Sequence, residues 1–349
     1  MAAADIVSLV VAGKAFAGWT DVDVEVGIDA LSGAFRMAFT ERWPGQPTAW
    51  EIEPGDACEV WIGDDQVMTG WIDRRDAAVT VDSHRLEVTG REKTCDLVDC
   101  SAIHRPGSWT GRRLEQIAAD LAAPFGIAVT ALVDTGAPFA RFALQQGETV
   151  FDAIERMTRQ RGVLPVTTAA GDLAFIRPGE VQAGYGLTLG ENLESVSFAN
   201  DVTDRFSAYH LKGEAADASR PSARAADPGV RRHRPLLIVN DDDSTTAGLG
   251  ERARWEATVR AGQGQTATGE VSGWRDQTGA LYRPDRLVPL KAGLLGLDAT
   301  LLVASVRYSR GDQGSRSTLG LTRKEAYSLL AIPEPSAARR SATTPPGDA

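Results

Sequence analysis

The feature that most constrains the fold is a regular alternation of short apolar strands and tight turns in the first third of the chain. Strand patterns cover Ile6 to Val11, Trp19 to Val26, Ala57 to Ile62, Val67 to Ile72 and Leu86 to Val88. Turn sequences at residues 12–14 and 63–65 separate neighbouring strands, and their Gly and Asp residues favour chain reversal. Strands this closely spaced pair with their sequence neighbours, so the pattern predicts an antiparallel meander.

A compact polar corner closes this β-rich segment at residues 88–101. It reads Val-Thr-Gly-Arg-Glu-Lys-Thr-Cys-Asp-Leu-Val-Asp-Cys-Ser. These residues offer no arrangement suited to reaction chemistry, which favours a role in assembly over a role in catalysis.

After the polar corner, the spacing of apolar residues changes from that of strands to that of a helix. Apolar residues at i, i+3, i+4 and i+7 predict a helix that is stopped by Pro124 and Gly126; they are Leu114, Ile117, Ala118 and Leu121. A strand over 127–133 follows, and Thr149 can cap a second helix that ends at Gly162. A hairpin then joins the segments 163–168 and 173–176.

A second β-rich region begins at Leu187 and is interrupted by a polar, Ala-rich loop over 213–229. A helix is predicted over 245–260. Strand patterns in this region cover 196–198, 206–211, 268–274, 287–290, 300–308 and 317–321.

The sequence therefore predicts a mainly β protein with an α+β part. It consists of a first β-barrel-like domain (1–101), a small α+β domain (102–180), a second, split β-barrel-like domain (181–213 and 265–327), an inserted loop and helix segment (214–264) and a disordered tail (333–349).

Composition excludes several function classes. The net charge of −10 and the pI near 5.0 argue against a protein that grips nucleic acid by neutralising phosphates. Three cysteines cannot form a closed set of disulfides, and neither a membrane span nor a signal peptide is predicted. The chain is expected to be cytoplasmic while it is assembled.

A metal site could begin at Cys95 and Cys100, which are spaced as C-x4-C, with His104 following. Structural zinc takes four ligands, so these three candidates fall short, and buried cysteines that pack like apolar residues are the favoured interpretation. The other histidines, His84, His210 and His233, are isolated in the sequence. We predict no metal, no cofactor and no catalytic residue.

Other catalytic patterns are incomplete. The segment from Gly262 to Gly269 lacks the lysine of a phosphate loop and is predicted to lead into a hairpin. The carboxylates at Asp64-Asp65 and at Asp241-Asp242-Asp243 are assigned to turns. No nucleophile elbow is present in the sequence.

One basic concentration stands out, and it is either a docking patch for an acidic partner or a solvated edge. It consists of Arg231, Arg232, His233, Arg234, Arg252, Arg254 and Arg260. Several tryptophans at strand or helix positions are predicted to anchor the core or interfaces; they are Trp19, Trp61, Trp71, Trp255 and Trp274.

Short segments in a fixed order carry a family resemblance over roughly residues 6–327. They are Gly18-Trp19, Pro54 to Val60, Ile62 to Asp65, Thr69 to Asp73, Gly90 to Thr94, Asp96 to Ala102, Pro124 to Ile127, Glu148 to Val150, Ile154 to Arg156, Arg161-Gly162, Arg232 to Leu236, Arg254 to Glu256 and Gly273 to Arg275. In this order they resemble the baseplate hub protein P of Mu-like contractile-tailed phages. The Ala-rich stretch 214–226 departs from that pattern.

The resemblance implies a virion structural protein of the tail baseplate, with two tube-like domains per subunit. It also implies a homotrimeric ring that contacts the central spike, the tail tube or its initiator, and the wedge proteins, and that lets DNA pass without specific nucleic acid binding or membrane insertion. Two alternatives stay open. One is the hub of a related apparatus, a tailocin or a secretion system; the other is a tail-associated cell-wall hydrolase.

Overall fold

The structure is a computed structural model that describes residues 6–41, 52–79, 84–214, 220–243 and 245–330. The tail predicted to be disordered, 333–349, lies outside the described residues. The described chain divides into two compact units. The larger contains Met1–Thr158, Val163–Ser197 and Ala267–Leu321, and the smaller contains Arg159–Gly162, Phe198–Thr266 and Thr322–Ala349.

Strands dominate the described chain, as predicted. They are β1 Val7–Val11, β2 Lys14–Ala17, β3 Asp21–Gly27, β4 Ala34–Glu41, β5 Ala57–Ile62, β6 Asp65–Val79, β7 His84–Glu92, β8 Ser108–Trp109, β9 Val129–Ala131, β10 Phe142–Ala143, β11 Leu164–Thr167, β12 Leu173–Ile176, β13 Leu187–Thr188, β14 Ser195–Asn200, β15 Ala208–Glu214, β16 Ser222–Ala226, β17 Pro235–Asp243, β18 Gln265–Ser272, β19 Arg286–Ala292, β20 Leu297–Gly311 and β21 Gly314–Thr322.

The helices are fewer and shorter. They are α1 Cys95–Asp99, α2 Leu114–Ala122, α3 Val150–Arg161 and α4 Thr246–Gln263, with 3-10 turns at Ala123–Phe125, Gly293–Leu295 and Lys324–Tyr327.

The predicted antiparallel meander is confirmed. Strands β4, β7, β6, β5, β1 and β2 lie side by side in that order, and every neighbouring pair is antiparallel. Successive side chains of a strand point to opposite faces of the sheet. In β1, Val7, Leu9 and Val11 therefore share the buried face, while the residues between them are partly exposed.

The two β-rich regions do not form separate sheets. Strand β3 pairs with β4 on one side and with β20 on the other, where Val24 lies opposite Tyr308 and Val26 opposite Val306. One 13-stranded sheet results, and its order is an open path, β14-β18-β21-β20-β3-β4-β7-β6-β5-β1-β2, with β19 and β13 attached beside β20. Among the described strands, none closes this path into a ring.

The α+β part folds as its pattern predicts. Helix α2 buries Leu114, Ile117, Ala118 and Leu121 in one core with Ile154 and Met157 of α3. Helix α3 is capped by the Thr149 hydroxyl, which accepts a hydrogen bond from the Asp152 backbone N–H at 3.1 Å. The predicted hairpin is β11 with β12, and the predicted strand at 127–133 is reduced to the three residues of β9, which pair in parallel with β12.

The smaller unit holds a three-stranded sheet in the order β16-β15-β17, with β16 antiparallel and β17 parallel to β15. Helix α4 covers one face, and its Leu249, Ala253 and Ala257 form a core with Tyr209 and Leu211. The helix begins after Thr245, whose hydroxyl accepts a hydrogen bond from the Gly248 backbone N–H at 3.1 Å.

Two predictions on this unit were wrong. The loop predicted over 213–229 contains the strand β16, because Ala223 and Ala225 supply an alternating small apolar face that packs on the core under α4. The turn predicted at Asp241-Asp242-Asp243 is the end of β17. Strand β15, which had been assigned to the second barrel-like domain, shares its sheet with the predicted insertion. Within the described chain, the two compact units thus have other boundaries than the predicted domains.

Candidate functional site

A tryptophan and an arginine that are adjacent in sequence join distant strands of the larger unit. The indole N–H of Trp274 donates to the carbonyl oxygens of Ser309 in β20 and Arg316 in β21, both at 3.0 Å. The next residue, Arg275, donates to the Asp65 carboxylate at 2.7 Å and to the Ile62 carbonyl at 3.1 Å. This segment therefore connects the second β-rich region with the turn between β5 and β6.

Polar side chains also connect the first β-rich region to the α+β part. The carbonyl oxygen of Leu31 accepts from the Thr94 hydroxyl at 3.1 Å and from the Thr167 hydroxyl, and the two hydroxyls lie 2.7 Å apart. Beside them, the Thr69 hydroxyl donates to the Ala169 carbonyl at 2.9 Å. Each bond spans a long separation in sequence, so these contacts fix how the two parts of the larger unit meet.

A buried carboxyl group lies in the same junction. Glu92 is only 5% exposed, and its Oε2 accepts from the Gly33 backbone N–H at 2.7 Å. Burial raises the pKa of this carboxyl to about 7, although hydrogen bonds from Gly33 and Thr167 favour the charged form. The alternation of β7 indicates this burial in the sequence, because Glu92 lies on the same inward-facing side of the strand as Leu86 and Val88.

The raised pKa of Glu92 makes stability depend on pH. The folded protein holds this proton more tightly than the unfolded chain, whose pKa is near 4.5. The contribution of Glu92 to stability is therefore greatest below the unfolded pKa and falls by about 3 kcal/mol as pH rises through 7. We expect Glu92→Gln to remove most of this loss, so that the variant equals the wild type near pH 4 and is the more stable protein at pH 8.

Urea unfolding at pH 4, 6 and 8 measures the effect. The matched control is Glu87→Gln on the same strand, because Glu87 is a partly exposed carboxylate paired with Arg36 and Arg85, and its replacement removes a carboxylate without the burial of Glu92. Parallel profiles for the wild type and Glu92→Gln would contradict the assignment.

The three candidate metal ligands, Cys95, Cys100 and His104, differ in burial and in contacts. Cys95 is buried and Cys100 is half-buried, while the His104 ring stacks on Trp109 with centroids 4.7 Å apart. Burial raises the pKa of the Cys95 thiol to about 11 and that of Cys58 to about 12, which disfavours the thiolate that metals require. Among the described residues, no group of three or more His, Cys, Asp or Glu side chains could hold a metal ion.

The remaining sequence candidates do not come together as a reaction centre. His210 lies on β15, His233 is exposed before β17, and His84 begins β7. The segment that begins at Gly262 was predicted to lead into a hairpin, but Gly262 lies in the last turn of α4. A Cβ at this position would come within 2.4 Å of the Ala326 backbone nitrogen, so the glycine allows α4 to pack closely against the 3-10 turn Lys324–Tyr327. Asp65 accepts the hydrogen bond from Arg275 described above and also pairs with Arg283 at 3.4 Å.

The basic residues singled out in the sequence do not form one surface patch, because some pack inside the smaller unit and others are exposed. Arg234 and Arg260 lie over the Phe206 ring, and Arg260 pairs with Glu256 at 3.0 Å, so both guanidinium groups serve the packing of the smaller unit. Arg231, Arg232 and His233 are exposed.

The tryptophans predicted as anchors divide similarly: Trp19 and Trp274 are buried, and Trp61, Trp71 and Trp255 are partly buried.

Exposed apolar side chains are the surface feature that the sequence analysis missed. The most exposed are Leu294 at 94% and Ile103 at 87%, and β17 exposes Leu237 at 54% and Val239 at 63%. In the described part of the chain, no helix is both long and apolar enough to span a membrane.

Comparison with known proteins gives three family matches along the chain. Residues 6–92 match the N-terminal domain of the Mu phage baseplate assembly protein GpP-like family, and residues 94–177 match the second domain of the baseplate hub protein gp44-like family. Residues 245–330 match the fourth domain of the Mu phage baseplate assembly protein GpP.

The baseplate hub protein gp44 of Escherichia phage Mu is 37% identical over 332 residues, which cover 90% of this chain and 87% of that protein. The chain belongs to the Mu-type baseplate hub family. The resemblance seen in the sequence is thereby confirmed. Glu92 is the last residue of the first matched segment, and Trp274 and Arg275 lie within the third.

Solved structures share the fold of this chain. The 43 kDa tail protein of prophage MuSo2 from Shewanella oneidensis superposes with a TM-score of 0.86 at 34% identity, covering 93% of this chain and 100% of that chain. A type VI secretion component of E. coli shares the fold, with a TM-score of 0.59 at 13% identity, covering 94% of this chain and 80% of that chain.

Proposed function

We propose that this protein is the structural hub of a contractile tail baseplate and that three copies form a ring between the tail tube and the central spike. The observation that carries the proposal is the match to the Mu hub protein along nearly the whole chain. The fold supports it, because β3 and β20 hold both β-rich regions in one continuous sheet. The family resemblance implies two tube-like domains per subunit, and three copies with two such domains each would match a six-fold tube.

The polar contacts of Trp274, Arg275 and Glu92 suit a mechanical role. A hub transmits force between tube and spike, so its parts must keep a fixed geometry under load. In the larger unit that geometry is held by buried or half-buried polar contacts at Trp274, Arg275 and Glu92, in addition to the shared sheet. We propose the spike, the tube or its initiator, and the wedge proteins as partners, with the virion baseplate as location and the host cytoplasm as place of assembly.

A non-enzymatic role follows from the same proposal. The relative that matches nearly the whole chain is a baseplate hub protein, which supports a structural role. The acidic balance of −10 per chain would let DNA pass a ring of three copies without being gripped. A tail-associated cell-wall hydrolase is therefore the weakest of the candidate functions, and a peptidoglycan zymogram of the purified protein should show no clearing.

The proposed ring predicts the mass of the assembled protein. We expect light scattering to give three chains of 37.2 kDa each, alone or after addition of the spike protein of the same gene cluster. The unrelated surface variant Lys14→Gln serves as a control for preparation effects, since Lys14 is exposed on the outermost strand β2. A strict monomer at every concentration, with and without the spike, would refute the ring.

A second candidate is the hub of a tailocin or a secretion system, which the fold shared with the type VI component favours. Both apparatuses use a hub and a spike but lack a DNA-filled head. Capsid and terminase genes beside this one would identify a phage, and their absence from a complete cluster would identify a tail-like particle.

A further inference from the structure

Among the described helices, only α4 packs on the three-stranded sheet of the smaller unit, and it covers one face. Tyr209 and Leu211 of β15 pack against α4, and the alternation of the strand turns His210 and Lys212 to the opposite side. The side chains on that side form the outer face of the sheet; they are Ser222 and Arg224 of β16, His210 and Lys212 of β15, and Leu237 and Val239 of β17. His210 is half-buried and the others are exposed.

Basic and aliphatic side chains occupy different strands of the outer face. The strand register forms two rows across β16, β15 and β17: Arg224, His210 and Leu237 in the first, and Ser222, Lys212 and Val239 in the second. The two aliphatic side chains of β17 are 54% and 63% exposed. The outer face therefore combines positive charge on two strands with apolar surface on the third.

The positive charge of the outer face indicates the chemistry of a partner. Among the described residues, no carboxylate forms a salt bridge with Lys212 or Arg224. Three further exposed basic residues, Arg231 to His233, lie at the end of the sheet where β17 begins. A partner with carboxylates would be attracted to this face, and a basic partner would be repelled.

The aliphatic side chains favour a polypeptide over a nucleic acid. Covering Leu237 and Val239 with apolar groups stabilises a complex, because it removes apolar surface from water. Phosphates do not supply such contacts, and the described residues of the outer face include no Phe, Tyr or Trp on which a base could stack. The partner that fits this face therefore carries aliphatic side chains beside its carboxylates.

The spacing of the outer face matches that of a helix. Side chains two residues apart on a strand are separated by about 6.6 Å, and side chains four residues apart on a helix by about 6 Å. The covered face shows this match: Leu249, Ala253 and Ala257 of α4 are spaced by four residues and form a core with Tyr209 and Leu211, which are spaced by two. A second helix that lies along β17 would meet Leu237 and Val239 in the same way.

We propose that the outer face binds an acidic amphipathic helix of a partner protein. Aliphatic side chains four residues apart on that helix cover Leu237 and Val239, and carboxylates on its neighbouring side pair with Lys212 and Arg224. With α4 on the other face, the sheet then lies between two helices. This inference goes beyond the hub function, because it assigns a type of partner to one face of the smaller unit and holds whether or not the chain forms a ring.

A synthetic helical peptide tests the proposal on the full-length chain. The probe has about 18 residues, which is long enough for a helix in water, with leucines three and four residues apart on one side and glutamates beside them. A second peptide has lysine in place of each glutamate, and a third has the composition of the first in scrambled order. Fluorescence anisotropy at low salt should show the acidic helix binding at least about tenfold more tightly than the other two peptides.

Charge reversal on the outer face identifies the site. The double variant Lys212→Glu with Arg224→Glu should bind the acidic helix at least about tenfold more weakly than the wild type and should gain binding of the lysine peptide. The matched control is Arg141→Glu with Lys291→Glu, which changes the net charge equally at two exposed positions of the larger unit. This control should bind the acidic helix as the wild type does.

Replacing the aliphatic side chains separates apolar contact from charge. Leu237→Thr with Val239→Thr keeps residues that suit a strand and leaves the charge unchanged, and it should also weaken binding of the acidic helix about tenfold. Leu294→Thr, at a 94% exposed position of the larger unit, should leave binding unchanged. The proposal is overturned if the wild type does not prefer the acidic helix to the scrambled peptide, if charge reversal on the outer face has no more effect than its control, or if duplex DNA displaces the acidic helix.

Discussion

Replacing Trp274 by alanine is expected to lower the free energy of unfolding by about 4 kcal/mol. The side chain is 1% exposed, and its indole N–H satisfies the carbonyls of Ser309 and Arg316 together. Alanine would leave a cavity between β20 and β21 and remove the donor from two carbonyl groups. The guanidinium of Arg310, 4.6 Å from the ring centroid, would also lose its contact with the ring.

Urea unfolding followed by circular dichroism measures this loss, and two variants separate its causes. Trp274→Phe keeps most of the ring but removes the N–H, so we expect a smaller loss of about 2 kcal/mol. The control Trp61→Ala removes a partly buried tryptophan whose N–H donates to Glu59 at 2.8 Å, and it should cost about 1 kcal/mol. Equal losses for Trp61→Ala and Trp274→Ala would contradict the larger role of the buried Trp274, and a Trp274→Phe variant as stable as the wild type would show that the indole N–H contributes little.

Replacing Asp227 by alanine is expected to cost about 3–5 kcal/mol in the smaller unit, because it leaves a charged arginine buried without its partner. Arg205 and Asp227 have side chains only 8% and 7% exposed, and two hydrogen bonds of 3.0 Å join them. The same carboxylate accepts from the Gly229 backbone N–H at 2.8 Å. The loop that follows β16 thus depends on this ion pair.

A double replacement distinguishes the buried charge from general disruption. With Arg205→Met and Asp227→Leu together, no charge is left unpaired, and we expect the protein to recover most of the stability lost in Asp227→Ala. The surface pair Arg74–Asp76 is the control: its side chains are 71% and 49% exposed, so Asp76→Ala should change the free energy of unfolding by less than about 1 kcal/mol. A double variant less stable than Asp227→Ala would contradict this account.

Local patterns were reliable guides where one short segment decides its own structure. Thr149 was predicted to cap a helix and does cap α3, and the helix predicted over 245–260 is α4, which begins at Thr246. The meander in β4 to β7 follows from turn residues between alternating strands. The predicted loop at 213–229 failed because alanines carry little hydrophobic signal. Ala223 and Ala225 become a strand face only when α4 covers them.

The sequence by itself determined the mainly β class, the α+β part between two β-rich regions, and membership of the hub family, because these depend on periodicity and on the order of short segments. Only the tertiary structure decided that β3 and β20 join both regions in one sheet, that Glu92 keeps a raised pKa, and that Leu237 and Val239 of β17 lie on the exposed face of their sheet. The reason is physical: strand pairing and burial are set by groups tens to hundreds of residues apart, and a local pattern does not specify which distant strand or carbonyl it will meet.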